Sequence, residues 1–336
     1  MKNQFSTRLL SLLLTLTMVF GLLVPVSAAN SGSSELKFEK VDEAVDSKLP
    51  ESKLDGTEEA NDIANGEYKY ADDEEVRVSI VLDGETTIEK FGSEDIASNS
   101  AAVAYRDELK SEQADVTKAI EAKLNETLDV QWNLTLAANI ISANVLYKQI
   151  EDIEKVSGVK KVVIETKYEP MVVDKEETAD PNMATSTIQT GATNAWAAGY
   201  TGAGSKVAVI DTGVDYNHED LQDNIWTNSA EVSGTTGADD DNNGYVDDVH
   251  GINLIDPNET PMDDHGHGTH VTGIIAMENN NVGGVGIAYK SKIMPIKAGG
   301  ADGTFYSSDI AKGIEYAYKN GADVINMSFG SYAHSA

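Results

Sequence analysis

The spacing of hydrophobic residues divides the chain into two regions with different predicted architectures. From Val76 apolar and polar residues alternate as in a strand, and the next region has apolar residues four positions apart from Val116 to Leu124, as in a helix. Strand patterns follow at 130–136, 140–146 and 159–164, with a short helical pattern before the last of them. This βαββαβ order predicts an α+β, ferredoxin-like domain over residues 76–170, with helices on one face of a four-stranded sheet. The other face needs a partner, which the rest of the chain is able to provide.

Short apolar strands alternate with helices in the second region, residues 188–336. Strands are expected at 206–210, 293–297 and 324–327, and helices at 193–198 and near 310–318. This pattern predicts an α/β fold with a parallel sheet wrapped by helices. Ligands of such sheets bind at the carboxyl ends of the strands, and Asp211 follows directly after one of them.

The N-terminal segment has the pattern of a signal peptide over residues 1–29. Basic residues precede an apolar run from Leu9 to Val26, and small residues follow before Asn30. The alternative is a membrane anchor, because the run approaches spanning length. The small residues favour export, so we expect a secreted or cell-surface protein that meets the membrane only during export. Residues 30–75 are predicted to be a flexible acidic linker, and 171–187 a processing junction.

Composition narrows the possible partners and stabilising chemistry. The 336 residues include 56 acidic and 25 basic side chains, a formal net charge of -31, which argues against nucleic-acid or anionic-lipid partners. The chain contains no cysteine, so disulfide bonds and thiol catalysis are excluded. Dense carboxylates are compatible with bound calcium, although solubility explains much of the charge.

Four short motifs carry the chemistry: VAVIDTGVD, HGTHVTG, GADGT and VINMSFG. A serine nucleophile needs an imidazole to take its proton, and that imidazole needs a carboxylate to fix its tautomer and stabilise its cation. Asp211 ends a strand before the small turn Thr212-Gly213, and His267 begins a predicted helix between two glycines. These residues are candidates for the carboxylate and the imidazole.

In wording and order these motifs resemble the subtilisin family of serine proteases, from residue 179 to 336. The βαββαβ segment resembles the inhibitory, fold-assisting propeptide of that family. The resemblance implies that Asp211 supports the imidazole and that His267 acts as general base and then acid, without a catalytic cofactor. It also implies that two segments pair with protein or peptide substrates in extended conformation. Their candidate substrate-binding residues are Gly300, Gly303, Thr304, Ser328, Phe329 and Gly330.

The sequence departs from the family pattern at the nucleophile. No Gly-Thr-Ser-Met-Ala segment is present, and Ser331 and Ser335 do not lie in the expected small-residue turn before a helix. We therefore expect that residues 188–336 supply only the N-terminal half of a peptidase domain, incomplete at its C-terminal side, and that this chain alone has no useful activity. An in-frame Gly-Thr-Ser-Met-Ala in the coding sequence beyond Ala336 would support that expectation.

Two other functions compete with this interpretation. In the first, the chain is a protease-binding inhibitor or chaperone-like pseudoenzyme, with the region 76–170 as its binding module. In the second, His265, His267 and His270 gather around a zinc ion. The chain lacks the His-Glu-x-x-His pattern of a metalloprotease, and the glycines beside His267 suit a general base better.

Two segments are candidates for structural calcium. The acidic loop 239–247 has oxygen ligands at alternate positions before a glycine, but His250 stands where an EF-hand has glutamate, and a solvated turn is the alternative. The family resemblance implies a second site after the histidine helix, with Asp180 as a further ligand. The candidate ligands are Asp239, Asp241, Asn243 and Asp247 in the first segment, and Asp220, Glu278, Asn280, Val282 and Gly284 in the second.

Overall fold

The computed structural model describes residues 69–92, 96, 99–171, 183–280 and 283–331. The predicted signal peptide, most of the predicted linker, residues 172–182 of the junction, Val282 and Ser335 lie outside the described residues. Among the helices of the described part, none is long and apolar enough to cross a membrane.

The region after the predicted linker forms a four-stranded antiparallel sheet in the order β2-β3-β1-β4. This is the strand order of the split βαβ arrangement that the hydrophobic pattern predicts. The strands are β1 (Glu75–Leu82), β2 (Asp129–Leu134), β3 (Ile140–Leu146) and β4 (Val159–Ile164), and the helices are α1 (Thr87–Phe91), α2 (Ser100–Leu124) and α3 (Ile150–Ile153).

Alternation along β1 gives this sheet one apolar face, which packs against α2 and α3. Val78 and Ile80 are fully buried there, in one cluster with Ile120 of α2 and Ile153 of α3. The start of α2 is fixed by Asn99, whose side chain accepts hydrogen bonds from the first N–H groups of the helix. The intervening β1 side chains therefore point to the opposite face of the sheet.

The second sheet is parallel, in the order β10-β6-β8-β7, as expected for an α/β fold. Its strands are β6 (Lys206–Asp211), β7 (Ile252–Asn253), β8 (Lys292–Lys297) and β10 (Val324–Met327). The helices in this region are α4 (Met183–Gln189), α5 (Ala192–Ala197), α6 (Ser229–Ser233), α7 (His267–Ala276) and α8 (Ser307–Lys319).

Side chains of β6 enter two apolar clusters, one on each face of the parallel sheet. Ala208 and Ile210 share a cluster with Tyr316 of α8, whereas Val207 and Val209 share the other with Ala276 of α7. Because helices cover both faces, β6 is an almost continuous apolar run that ends in a single acid. This burial holds the end of β6 rigidly.

A third, three-stranded antiparallel sheet joins the two regions. Its central strand β5 (Lys167–Pro170) directly follows the first sheet and lies between β9 (Phe305–Tyr306) and β11 (Phe329–Gly330). The backbone N–H of Met171 continues this pairing by donating to the carbonyl of Ser328, at 3.0 Å. Residues 167–171 are thus held as an extended peptide between two segments of the second region.

The sheet face that α2 and α3 leave uncovered contacts the N-terminal end of α8. Arg77 of β1 forms an ion pair with Asp309, Nη1 to Oδ2 at 2.8 Å. The buried carboxylate of Glu165 accepts hydrogen bonds from the hydroxyls of Ser142 at 2.7 Å and Ser308 at 2.8 Å. The polar face of the first sheet, which α2 and α3 leave uncovered, therefore packs on the second region.

Candidate active site

Asp211 and His267 meet at the carboxyl end of β6. Nδ1 of His267 lies 2.7 Å from Oδ1 of Asp211, although 56 residues separate them in sequence. Asp211 is fully buried, and the side chain of His267 is only 12% exposed. A carboxylate in contact with Nδ1 fixes the tautomer in which Nε2 is free to accept a proton.

The carboxylate of Asp211 is held by fewer donors than its burial requires. Oδ1 also accepts a hydrogen bond from the N–H of Thr212 at 2.7 Å, whereas Oδ2 is buried without a hydrogen-bond partner. Burial raises the pKa of Asp211, and the hydrogen bond from His267 partly opposes that shift. The ionised form of Asp211 is therefore stabilised mainly by the imidazole of His267.

Glycines allow α7 to approach the end of β6 closely. A Cβ on Gly268 would lie 2.1 Å from the carbonyl oxygen of Gly213 and 3.0 Å from Cβ of Asp211. Gly266, the residue before the helix, has a left-handed backbone with φ of 99°. Gly268 thus provides room for the strand rather than room around the imidazole, and Gly266 provides the turn into the helix.

Asp263 organises the start of α7 and was not identified from the sequence. Its Oδ2 accepts hydrogen bonds from the hydroxyl of Thr269 at 2.6 Å and from its N–H at 2.9 Å. Its Oδ1 accepts from the N–H groups of His265 and Gly266 and from the hydroxyl of Thr212. Burial alone would raise the pKa of Asp263, but these hydrogen bonds lower it overall. An acid a few residues before a predicted helix was the available signal.

Lys297 is the second residue of the site that sequence patterns did not reveal. It ends β8 beside Asp211, is 3% exposed, and donates to the carbonyl of Thr212 at 2.6 Å and to Asp264 at 2.5 Å. A charged residue that ends a buried apolar strand was its only sequence signal. Lys297 fixes the turn after Asp211 and offsets part of the negative charge around it.

The segments expected to bind substrate lie on both sides of β5, with one shift in position. Phe329 and Gly330 pair with Pro170 and Glu169 of β5. On the other side the paired residues are Phe305 and Tyr306, which the sequence analysis did not include. Gly300, Gly303 and Thr304 form the preceding turn, in which the N–H of Gly300 donates to the carbonyl of Thr304. The pairing therefore begins one residue after the expected segment.

The position of Pro170 brings the bound strand close to the histidines. A Cβ on Gly303 would lie 3.2 Å from the ring of Pro170 and 3.1 Å from Nε2 of His265. The ring centroids of His265 and His267 are 6.4 Å apart. Pro170 of this strand therefore lies near His265, beside the imidazole of His267, a position for His265 that the sequence did not suggest.

The acidic loop brings together a different set of ligands from the one expected. Within the described ranges, the group that could hold a metal ion is Glu231, Asp241 and Asp248, whose carboxylate oxygens lie within 4.8 Å of one another. Of the expected set only Asp241 belongs to it. Asp239 accepts hydrogen bonds from the N–H groups of residues 243 and 244, Asp247 accepts from that of residue 237, and Asn243 donates to Asp248. These contacts form local turns, and sequence alternation could not separate them from ligands.

The second candidate calcium segment converges on Asp220. This buried acid accepts a hydrogen bond from the side-chain amide of Asn280 at 3.0 Å, and its backbone carbonyl accepts from the N–H of Glu278. A Cβ on Gly283 would lie 2.2 Å from Oδ2 of Asp220, so the loop closes tightly over the carboxylate. Glu278 instead directs its carboxylate to the N–H of Asp223, and Gly284 donates to the sulfur of Met277.

The zinc alternative lacks the geometry it needs. His265, His267 and His270 do not belong to the group of converging metal-ligating atoms found in the described part of the chain. His267 uses Nδ1 for Asp211 instead. The arrangement supports a general base and its orienting acid rather than a three-histidine site.

Comparisons with known proteins agree with this geometry. Residues 202–336 match the model of the Subtilase family. The chain is 47% identical over 126 residues to Subtilisin-like protease 1 of Plasmodium falciparum, covering 37% of this chain and 18% of that protein. It is 36% identical over 165 residues to Minor extracellular protease Vpr of Bacillus subtilis, covering 48% of this chain and 18% of the relative.

The chain is also similar to a shorter relative. The chain is 39% identical over 138 residues to Subtilisin BL of Lederbergia lenta, which covers 41% of this chain and 42% of that protein. All three matches thus span less than half of each relative, and those to the longer proteases less than a fifth. The α/β region that carries Asp211 and His267, residues 202–336, is thus similar to the Subtilase family.

Proposed function

We propose that this chain is part of the precursor of a secreted serine endopeptidase. The observation that carries the proposal is the 2.7 Å contact between Asp211 and His267, at the carboxyl end of a buried parallel strand and beside a bound extended peptide. The apolar N-terminal run of residues 1–29 and the name of the extracellular Bacillus relative support secretion.

In the proposed reaction His267 moves protons and Asp211 supports it. Nε2 of His267 takes the proton of a serine hydroxyl as its oxygen attacks the scissile carbonyl carbon, and then gives that proton to the leaving amine. The acyl-serine is hydrolysed by a water molecule activated in the same way. Asp211 holds Nδ1–H and stabilises the imidazolium, and its unpartnered Oδ2 strengthens its dependence on that cation.

We further propose that these 336 residues have no peptidase activity by themselves. The sequence lacks the Gly-Thr-Ser-Met-Ala pattern, and no serine hydroxyl in the described part hydrogen-bonds to His267. Loss of a triad member removes most catalysis. Purified chain should therefore leave casein intact, and hydrolysis that His267→Ala abolishes would contradict this.

Residues 76–170 would act as an inhibitory propeptide whose C-terminal strand fills the substrate cleft. The supporting observation is that β5 pairs with both cleft segments, and that Tyr168 packs edge-on against Phe329 with ring centroids 6.0 Å apart. The polar face of its sheet is covered by α8 through Arg77. Cleavage would occur between Tyr168 and Thr187, after which the strand would remain bound as a product.

The secreted protein purified from producing cells offers the test of the enzyme and of its maturation. N-terminal sequencing should give a start within residues 169–187, and casein hydrolysis should be blocked by a serine-directed sulfonyl fluoride. Active enzyme with the first sheet still attached would contradict the maturation step. Inhibition by a chelator without sensitivity to the sulfonyl fluoride would contradict the serine mechanism.

Calcium would be structural in the proposed protein. Glu231, Asp241 and Asp248 fit a cation because their carboxylates converge while two of them are buried. Burial raises the pKa of Asp248, and the charge of Asp241 adds to that shift, while hydrogen bonds from Tyr316, Asn243 and Asn228 oppose it. Bound calcium would neutralise this repulsion, and Asp220 with Asn280 would hold a second ion. Calorimetry should detect binding that Asp248→Asn weakens; no heat of binding would contradict both sites.

An inhibitor or chaperone-like pseudoenzyme is the second candidate function. The sheet face around Glu165 and the strand β5 are shaped to cover a subtilase surface, which is the observation that favours it. The chain would then inhibit Subtilisin BL in trans when added in micromolar amounts. A lack of inhibition would leave the intramolecular propeptide as the role of this region.

A further inference from the structure

A cavity of about 360 Å³ lies between α2 and α8, and neither Asp211 nor His267 lines it. Arg106 and Lys110 line it from α2, and Lys312 and Lys319 line it from α8. Four cations thus face one cavity in a chain whose net charge is -31. The carboxylates in its lining are Asp107 and Glu315.

The four cations are only partly neutralised. Lys312 and Lys319 share one carboxylate, that of Glu315, at 3.2 and 3.6 Å. Burial raises the pKa of Glu315, but Lys312, Lys319 and Arg106 lower it overall, so three of the cations act on the same ionised group. Arg106 and Lys110 form no ion pair within the part of the chain that the structure describes.

Further polar groups are available in the same lining. The hydroxyl of Tyr245 is buried without a hydrogen-bond partner, and Asn242 and Asn243 of the acidic loop also line the cavity. Lys312 also lies 5.9 Å from the centroids of Trp132 and Tyr245, which keeps its ammonium group at the cavity wall. Several donors and an excess of positive charge therefore converge on a space large enough for a small ligand.

We propose that this cavity binds a small multivalent oxyanion of the phosphate or sulfate type, and that the anion bridges α2 and α8. Guanidinium and ammonium groups bind such anions by charge-assisted hydrogen bonds, and a bound anion would relieve the repulsion among the four cations. Binding itself is independent of proteolysis. Tighter retention of the first sheet on the second region is a consequence that rests on the proposed propeptide role.

Calorimetric titration of the whole 336-residue chain with inorganic pyrophosphate, in calcium-free buffer of constant ionic strength, tests the site. We expect one binding site per chain and a rise in melting temperature, because a ligand that binds only the folded state stabilises it. Arg106→Ala should weaken binding about tenfold, the loss expected for one charge-assisted contact. Lys110→Ala should weaken it in the same direction.

Lys118→Ala is the matched control, since Lys118 lies on α2 but is exposed and paired with Asp115 at 3.1 Å. It should leave pyrophosphate binding unchanged. Equal weakening by Lys118→Ala and Arg106→Ala would indicate general electrostatic attraction and overturn the proposal. Absence of binding heat, or a melting temperature that sodium chloride raises equally, would overturn it too. These outcomes do not depend on peptidase activity, so they separate the anion site from the proposed function.

Discussion

Two buried carboxylates of this protein have opposite hydrogen-bonding environments. Glu165, at the contact between the two regions, has both oxygens occupied, by hydroxyls from the first sheet and from α8 and by a backbone N–H of α8. Asp211, at the end of β6, has one oxygen on His267 and Thr212 and the other buried without a partner. A fully satisfied acid holds surfaces together, whereas an incompletely satisfied one leaves its neighbouring imidazole to compensate its charge.

Removing the carboxylate of Glu165, which is fully hydrogen-bonded, should have the largest effect on stability. Glu165→Ala deprives Ser79, Ser142 and Ser308 of their acceptor, and leaving buried donors unpaired should lower the free energy of unfolding by about 3–5 kcal/mol. Urea denaturation measures this change. Glu165→Gln, which keeps an acceptor, should cost less, and Glu169→Ala, at an exposed position on β5, should stay within about 0.5 kcal/mol. Equal losses of stability in all three variants would contradict a stabilising role for the hydrogen bonds of Glu165.

A methyl group on Gly268 should disturb the surroundings of Asp211 by a steric clash. The added Cβ would collide with the carbonyl of Gly213 beside Asp211, so we expect a loss of about 1–3 kcal/mol in urea denaturation. Gly330→Ala is the control, because a Cβ there meets nothing within 4 Å. A Gly268→Ala variant as stable as that control would show that α7 does not depend on this close approach.

Neutralising two neighbouring acids should change stability in opposite directions. The pKa of Asp263 is lowered in the folded chain, so its ionised form stabilises the fold above the usual carboxyl pKa, and Asp263→Asn should cost about 1–2 kcal/mol at neutral pH. That cost disappears as pH falls through the lowered pKa. The pKa of Asp211 is raised, so its ionised form is penalised, and Asp211→Asn should be neutral or stabilising at neutral pH. Melting curves between pH 3 and 8 compare the two, and a large loss in both would contradict the distinction.

The smallest effect is expected from Asp309, which is buried at the same contact as Glu165. Burial raises its pKa to about 6, despite the opposing charge of Arg77. Because the folded pKa lies above the unfolded one, this residue favours the fold at low pH and loses that contribution as pH rises through about 6. The melting temperature of Asp309→Asn should therefore decline less than that of the unchanged chain between pH 5 and 7. Parallel declines would contradict the sign of this shift.

Local sequence patterns were sufficient to predict several strands and helices and to identify Asp211 and His267 as a candidate pair. Runs of apolar residues predicted β3, β4 and β10 with the observed bounds, and the helix expected to begin at His267 does begin there. Asp211 was predictable because it interrupts an apolar run at its end. The residues that pair with β5 on this side were not, since Phe305 and Tyr306 carry an apolar pattern that serves a core equally well.

Contacts between distant segments could not be predicted in the same way. The pairing of Arg77 with Asp309 joins residues 232 positions apart, and the convergence of Glu231 with Asp248 depends on how an irregular loop folds. Asp263 and Lys297 act through backbone groups whose positions no side-chain pattern encodes. The sequence therefore indicates the candidate pair, Asp211 and His267, more completely than the residues that position it.

The most direct test of the central claim is the proton on Nδ1 of His267. In the unchanged chain, proton NMR with nitrogen-15-labelled histidine should show this proton far downfield and protected from exchange, because Asp211 accepts it at 2.7 Å in a buried site. Asp211→Asn should abolish the downfield signal, whereas Asp264→Asn should retain it. A signal that is missing in the unchanged chain, or that persists in Asp211→Asn, would contradict the assignment of Asp211 and His267 as the acid and base of a serine peptidase.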